Sequence, residues 1–361
     1  MIYKEFRGLA LSSLGMGCMR LPTVPDTDGV IDEQATARMV EYAFSQGINY
    51  FDTAWPYHGG NSETVMGRIL KNYPRDSFYL ATKMPGFSPE MVRNAKEIFE
   101  KQLEKCQVDY FDFYLFHNVS EKNVDDYMDD SIGVLDYLME QKNAGRIRHL
   151  GFSTHGSLTT MRRFLDKYGK DMEFCQIQLN YLDWNLQNAK AKVELLKQYG
   201  IPVWVMEPVR GGRLVELPQE DVEALNALRP GATTPEWAFR FLQSIDGVTM
   251  VLSGMSNDTQ LRENIATFSQ NKPLDNKEWD ALMEIADKMI RKNAVPCTGC
   301  SYCVDHCPQG IPIPEIIKLY NDGGKPDGIG PKDCLSCRSC ESWCPQGIMI
   351  SEVMTKFAEK L

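Results

Sequence analysis

The sequence predicts an α/β chain: a closed (β/α)8 TIM barrel followed by a small, partly helical, cysteine-rich domain. Three observations predict it. The chain has 361 residues, more than the roughly 250–300 at which a single core stops growing. Up to Phe268, eight short, near-continuously apolar runs alternate with amphipathic stretches. Eight of the eleven cysteines then fall between residues 297 and 344.

The strands read, in order, Leu14-Gly15-Met16-Gly17-Cys18, Ile48 to Asp52, Phe78 to Lys83, Tyr110 to Phe116, Leu150 to Ser153, Cys175 to Leu179, Pro202 to Met206 and Val248 to Leu252. Strands of a parallel sheet are covered on both faces, so they must be apolar almost throughout. Between them, Val92, Ala95, Ile98, Phe99, Leu103 and Cys106 recur at helical spacing. Ile132, Leu135, Leu138 and Met139 do the same, and Gly145 suits a helix C-terminus. Eight βα units in this length match a barrel of ~250 residues. A doubly wound sheet is the competing layout. It would carry G-x-G-x-x-G after the first strand, but the turn reads Gly15-Met16-Gly17-Cys18-Met19-Arg20.

Residues 1–275 are therefore assigned to the barrel. Asn276 to Lys292 is a closing helix. From Asn293 the composition turns to Cys, Pro and Gly, which sets a second domain at 293–350 and a tail at 351–361. Residues 210–235, with Gly211, Gly212 and Gly231, are long enough to form a loop over a bound molecule.

Acids outnumber bases 49 to 39, for a net charge of −10. Nucleic acid and anionic membrane surfaces, which need basic patches, are poor partners for such a chain. No apolar run approaches the ~20 residues of a membrane span, and the start, Met1 to Arg7, lacks the apolar core of a signal peptide. A cytoplasmic protein is expected. Cys18, Cys106 and Cys175 are scattered and read as small buried hydrophobes.

The clustered cysteines are more specific. Cys297, Cys300, Cys303, Cys307 and Pro308 give C-x2-C-x2-C-x3-C-P, and Cys334, Cys337, Cys340, Cys344 and Pro345 give it again, 37 residues later. Both copies end in CPQGI. Three thiolates at intervals of three can wrap one face of an iron–sulfur cube, and the fourth, beside a proline, reaches the other cube. One [4Fe-4S] cluster is thus assigned to Cys297, Cys300, Cys303 and Cys344, the other to Cys334, Cys337, Cys340 and Cys307. Structural zinc prefers two separated C-x2-C pairs, and disulfide frameworks belong to small secreted domains. The segment 294–350 resembles the bacterial two-cluster ferredoxins. Its longer gap from Cys307 to Cys334, with a helix predicted over Pro314 to Tyr320, is similar to the helical ferredoxin modules fused to larger redox enzymes.

Active sites of (β/α)8 barrels sit at the C-terminal ends of the strands. Those ends carry Asp52, Tyr57 in the following loop, Lys83, His117, Ser153, Gln176 and Glu207. Each alone has an ordinary structural explanation: a turn cap, a solvated lysine, a packed histidine. Together they converge on one rim.

Asp52-Thr53-Ala54-Trp55-Pro56-Tyr57-His58-Gly59, then Asn61-Ser62-Glu63, resembles the D-T-A-x-x-Y-G-x-S-E signature of the aldo/keto reductases. Ala81-Thr82-Lys83 and Leu115-Phe116-His117 are similar to that family's lysine and histidine segments. The family is a (β/α)8 barrel that reduces aldehydes and ketones with nicotinamide cofactors. The resemblance implies a catalytic tetrad of Asp52, Tyr57, Lys83 and His117, with Tyr57 as proton donor to a small-molecule carbonyl. A free tyrosine has a pKa of ~10. An ammonium ~4 Å away contributes ~4 kcal/mol at an effective dielectric of ~20, or ~3 pKa units. Lys83 is therefore expected to acidify Tyr57, with Asp52 holding Lys83 charged and His117 donating to the carbonyl oxygen.

The same resemblance implies NADP or NAD bound through Ser153 and Gln176 at the carboxamide, Met206 where the family stacks a tyrosine, Glu207, Gly254, and Glu263 with Asn264 at the adenine. The family's basic residue for the 2′-phosphate is missing near Ser256, which points to NADH or to weak discrimination. Trp55, Phe87, Asn118 and Trp184 are candidates to line the substrate pocket. A hydride carries two electrons and a cluster passes one, so exchange between them needs a mediator such as a flavin. Three functions stay open: a carbonyl reductase with auxiliary clusters, an oxidoreductase exchanging electrons with a redox partner protein through a bound flavin, and a silent barrel carrying a ferredoxin module.

Overall fold

The computed structural model of the chain describes residues 1–27, 29–291 and 294–361. An antiparallel hairpin comes first, β1 (Tyr3–Phe6) and β2 (Leu9–Ser12). Its two-residue turn puts Arg7 and Gly8 at φ of 50° and 85°, which a glycine adopts without a Cβ clash. Eight strands follow: β3 (Leu14–Gly17), β4 (Tyr50–Asp52), β5 (Tyr79–Met84), β6 (Phe111–Val119), β7 (Ile147–Thr154), β8 (Cys175–Gln178), β9 (Val203–Met206) and β10 (Val248–Gly254). Neighbours pair in parallel and β10 pairs with both β9 and β3, so the barrel is closed. Each predicted run is one of these strands. β6 runs further than expected, to Val119, so His117 lies inside it, just past a register shift after Phe116.

The barrel interior is filled at its N-terminal end by aromatic rings. Phe6 of the hairpin packs 5.0 Å from Trp204, 5.7 Å from Phe113 and 6.3 Å from Phe174 between ring centroids. Burying such rings drives closure of that end. Asn49 and Ser12 exchange hydrogen bonds of 2.8 and 3.1 Å and fix the hairpin to the start of β4. Outside the strands, helices bury apolar stripes. Ala95–Cys106 turns Ile98, Phe99, Leu103 and Cys106 inward. The helical pattern beginning at Val92 breaks at Asn94, which separates Pro89–Arg93 from it.

Residues 210–235 are not a free loop. A single turn at Arg210–Gly212 leads to the helix Gln219–Leu228, which Lys288–Asp221 (3.2 Å) and Arg229–Glu278 (2.7 Å) tie to the closing helix Asn276–Arg291. The predicted end of that helix at Lys292 and the domain boundary at Asn293 lie outside the described residues.

The C-terminal domain is built on two helices, Ile313–Asp322 and Ile350–Ala358. Residues 351–361, expected as a tail, are mostly the second of these. Ile350, Met354 and Phe357 recur at helical spacing and bury against Ile313, Ile316 and Ile317, so the segment belongs to the core of the domain. Among the described residues no helix is long and apolar enough to cross a membrane.

Candidate active site

Asp52 closes β4 and Lys83 lies near the end of the adjacent β5, so the pairing of those strands brings the two side chains together. The Lys83 ammonium donates to Asp52 Oδ1 (2.7 Å) and to the carbonyl of Thr53 (2.7 Å), with both side chains almost wholly buried. Below them, the Ser62 hydroxyl donates to the carbonyl of Cys18 and shares a hydrogen bond with the Thr53 hydroxyl, both at 2.9 Å. Buried Glu63 accepts from Thr82, Gln102 and Lys105, each at 2.7 Å. The Ser62-Glu63 pair of the motif thus locks the loop that carries Tyr57.

Tyr57 and His117 face each other edge to face, with ring centroids 6.2 Å apart. The Lys83 ammonium lies 4.9 Å from the centroid of the Tyr57 ring. Its expected acidifying effect is reversed. Burial first, and then the charge of Asp52, push the Tyr57 phenol well above its usual value. Lys83 is already neutralised by Asp52 and sits over the ring face, so little of its charge is left to favour a phenolate. Burial and the nearby Lys83 charge drive His117 well below the usual histidine range, so it is a neutral imidazole. Its Nδ1 is buried without a partner among the described residues.

The proposed nicotinamide contacts are separated in character. Gln176 is buried with Oε1 unpartnered, which suits an amide N–H donor at that point. Ser153 Oγ accepts from the Asn118 backbone N–H at 2.8 Å. Met206 ends β9 and is partly exposed. Glu207 follows at φ 54°, and burial, with the Asp183 charge next, raises its carboxyl to about 7. Asn264 donates to Ser253 Oγ at 3.1 Å, whereas Glu263 on the same helix is exposed. Gly254 packs against the Arg20 side chain.

The C-terminal domain covers this rim. Arg20 donates to the carbonyl of Gly299 at 2.9 Å, and Lys122 to those of Glu341, Ser342 and Cys344 at 2.6, 3.2 and 3.2 Å. Gln346 donates to Gln178 at 2.8 Å and bonds Gln187. At Gly211 (φ 64°), a Cβ would come within 1.8 Å of the Thr298 carbonyl, so only glycine permits this approach. The segment Thr298–Gly299 therefore packs against Gly211 and the Arg20 side chain, which itself lies against Gly254. The unpartnered Gln176 oxygen is the feature that fits a nicotinamide carboxamide.

The eight cysteines surround two cavities. Cys297, Cys300, Cys303 and Cys344 line one of about 310 Å³; Cys307, Cys334, Cys337 and Cys340 line one of about 350 Å³. This is the crossed grouping expected from the spacing. Four thiols around each cavity suit an iron–sulfur cluster, and among the described residues no group of His, Cys, Asp or Glu is drawn together as a single metal ion would require. Ile313 and Ile350 line both cavities and stand between them. Gly310 and Gly347, one per CPQGI copy, share φ of 63°, so the repeat in sequence is a repeat in backbone.

The aldo/keto reductase family profile matches residues 13–287. The chain belongs to that family. A 4Fe-4S dicluster domain profile matches residues 296–349 of the reductase. It is 30% identical over 217 residues to the probable aldo-keto reductase 1 of Glycine max, covering 57% of this chain and 58% of that one. It is 25% identical over 329 residues to the NADH-specific methylglyoxal reductase of Escherichia coli, covering 78% and 97%. Among solved structures, an aldo-keto reductase from Bacillus halodurans in its holo form superposes with a TM-score of 0.63 at 24% identity, covering 79% of this chain and 96% of that one.

Of the four pocket candidates, Phe87 is at the site, 5.2 Å from the His117 ring, and Asn118 adjoins it through Ser153. Trp184 instead packs against Phe241 and Trp279, where the helices outside the barrel meet. Trp55 lies beneath the Lys105 ammonium, 4.5 Å from it. Two residues of the reductase's C-terminal domain were missed. The Tyr302 ring lies edge to face 6.1 Å from Phe87, and Trp343 stacks on Phe87 at 4.9 Å. Their aromatic character inside cysteine loops was the only signal, and nothing in the sequence joins those loops to the barrel rim.

Proposed function

We propose that this reductase reduces the carbonyl of a small aldehyde or ketone, with Tyr57 giving the proton to oxygen. The observation that carries the reading is the buried Lys83–Asp52 pair set beneath Tyr57 and beside a neutral His117 with a free ring nitrogen. A reduced nicotinamide, when bound, supplies hydride to the carbonyl carbon. Gln176 and Ser153 would hold its carboxamide. Tyr57 keeps its proton until negative charge develops on the carbonyl oxygen and then transfers it there, so that C=O becomes CH–OH. His117 donates from its neutral ring to the same oxygen, and Lys83 with Asp52 fixes the electrostatics below. No basic residue stands at Ser256, which favours NADH or weak discrimination, as does the similarity to the NADH-specific reductase of Escherichia coli. The two cysteine sets would each hold a [4Fe-4S] cluster, capable of one-electron chemistry, which suits a reducing cytoplasm.

A second reading is favoured by the position of Thr298–Gly299. That segment packs on Arg20 beside Gly254, one of the residues that would hold the dinucleotide; in this reading the clusters would exchange electrons with a partner protein, through a bound flavin, and the barrel would work without nicotinamide. Anaerobically prepared, iron-loaded protein given NADH and methylglyoxal as probe separates the two. Turnover lost by a factor of about 10²–10⁴ in Tyr57→Phe supports the first; unchanged turnover in that variant rejects it. Nicotinamide that neither turns over nor binds directs the site to the second.

A further inference from the structure

We propose that Tyr127, with Asn123 four residues before it, is the positioning residue of His117: the short helix Val124–Tyr127 fixes the backbone of the ring that would donate to the carbonyl oxygen. The inference rests on the carbonyl-reduction reading above and adds a residue outside the tetrad.

His117 stands where the barrel stops holding its own backbone. Pairing of β6 with β5 ends at Phe116, and pairing with β7 passes from Phe116 to Val119, so His117 and Asn118 have no register partner on either side. Asn118 takes a φ of 54°, a left-handed conformation that asparagine tolerates better than most residues. Three side chains serve this stretch instead. Ser153 Oγ accepts from the Asn118 N–H at 2.8 Å, Asn123 Nδ2 donates to the Asn118 carbonyl at 3.1 Å, and the Tyr127 hydroxyl lies 3.0 Å from the His117 carbonyl.

The same two side chains hold the neighbouring loop. Tyr127 also lies 2.8 Å from the Met84 carbonyl, and its single hydrogen is shared between that oxygen and the His117 carbonyl. Asn123 donates to the Gly86 carbonyl at 3.1 Å. A Cβ on Gly86 would come within 2.3 Å of the Tyr127 ring and hydroxyl, so a side chain there would displace one or the other. Phe87 follows, 5.2 Å from the His117 ring. One helix thus fixes the backbone that carries His117 and the backbone that carries the ring beside it. Tyr127 is itself wholly buried, edge to face with Phe116 at 5.2 Å. His117 Nδ1 meets no partner among the described residues, so the ring takes its direction from its backbone and from the Tyr57 and Phe87 rings. Without the Tyr127 hydroxyl, two buried carbonyls lose a donor, and the His117 backbone is free to shift. Orientation lost in this way lowers kcat and barely moves KM.

The test compares wild type, Tyr127→Phe, His117→Ala and the double variant in the full chain, with NADH and methylglyoxal as probes and kcat counted per iron-loaded chain. Tyr127→Phe keeps the ring and its packing. Expected is a fall in kcat of about tenfold at nearly unchanged KM, within the ~10² that a misplacement of ~1 Å costs. In the His117→Ala background the same change should alter kcat by less than about twofold, because no ring is left to position. The chain has five histidines, so in protein carrying isotope-labelled histidine the His117 ring signals are assigned by their loss in His117→Ala. Tyr127→Phe should shift those signals. Equal kcat in wild type and Tyr127→Phe overturns the proposal, as does a loss that persists without His117, or His117 signals that do not move. If Tyr127→Phe does not fold, Asn123→Asp is held to the same criteria: it keeps the oxygen that accepts from the Ser120 N–H and removes both donations. If wild type shows no turnover, or Tyr57→Phe retains it, the carbonyl-reduction reading fails, while the His117 signals still decide whether Tyr127 places the ring.

Discussion

The Lys83 ammonium lies 2.7 Å from Oδ1 of Asp52, and Oδ2 of that carboxylate meets no partner among the described residues. Lys83→Met would leave a buried charge uncompensated. A loss of about 3–5 kcal/mol is expected in anaerobic denaturant unfolding. Adding Asp52→Leu removes the orphaned charge and should return much of that stability, while carbonyl reduction stays absent. Stability unmoved by Lys83→Met would show that the pair is hydrated and screened.

The crossed grouping of cysteines has a direct test in iron content. Two cubes correspond to about eight irons per chain. Cys344→Ser should remove about half. Adding Cys297→Ser should remove little more, because both thiols face one cavity, whereas adding Cys337→Ser should empty both. The reverse pattern would mean that each C-x2-C-x2-C-x3-C run holds its own cluster.

Dinucleotide affinity should depend on how the C-terminal domain is docked. Lys122→Glu breaks three bonds to the 341–344 backbone without touching Asp52, Tyr57, Lys83 or His117. NADH binding, followed by fluorescence titration, is expected to tighten by about tenfold, the equivalent of about 1.4 kcal/mol. NADPH should bind no better than NADH in either form. An unchanged NADH affinity would mean that Thr298–Gly299 is no obstacle.

His155 governs a segment of the acid stability curve. Burial, then the Lys192 charge, lowers its pKa to about 4. The folded state refuses a proton that the unfolded chain accepts below about 6.5, so the contribution is complete above that value and is lost as pH falls toward 4. The difference amounts to about 3 kcal/mol. Replacing His155 by Gln should flatten the stability profile between pH 6.5 and 4. Glu173, whose hydrogen bonds and ion pairs with His149 and Lys142 outweigh its burial and lower it to about 2, should still produce a fall between about 4.5 and 2. A profile for the Gln variant that matches wild type would assign the upper segment to other groups.

Much of the barrel was legible because strands covered on both faces must be apolar, and runs such as Phe111–Phe116 have few other uses. The cysteine grouping was legible because cube geometry restricts spacing. The Asp52–Lys83 contact followed from adjacent strand ends. What could not be read depends on placement over long sequence separations. Met1 to Arg7 is too short and too charged to announce a hairpin, yet Phe6 is held by the rings of Phe113, His149 and Trp204 on three different strands. The sign of the Tyr57 shift turned on burial, which motif spacing does not report. Tyr302 and Phe87 are brought together only by the docking of two domains, through backbone carbonyls that carry no residue signature.

The hairpin that packs Phe6 against Trp204 also settles the traffic of the molecule. A tube stoppered at one end has one doorway, and here the iron–sulfur module stands in it. Tyr302 and Trp343 close on Phe87 there, so access to Tyr57 from that end would depend on how readily this seam opens.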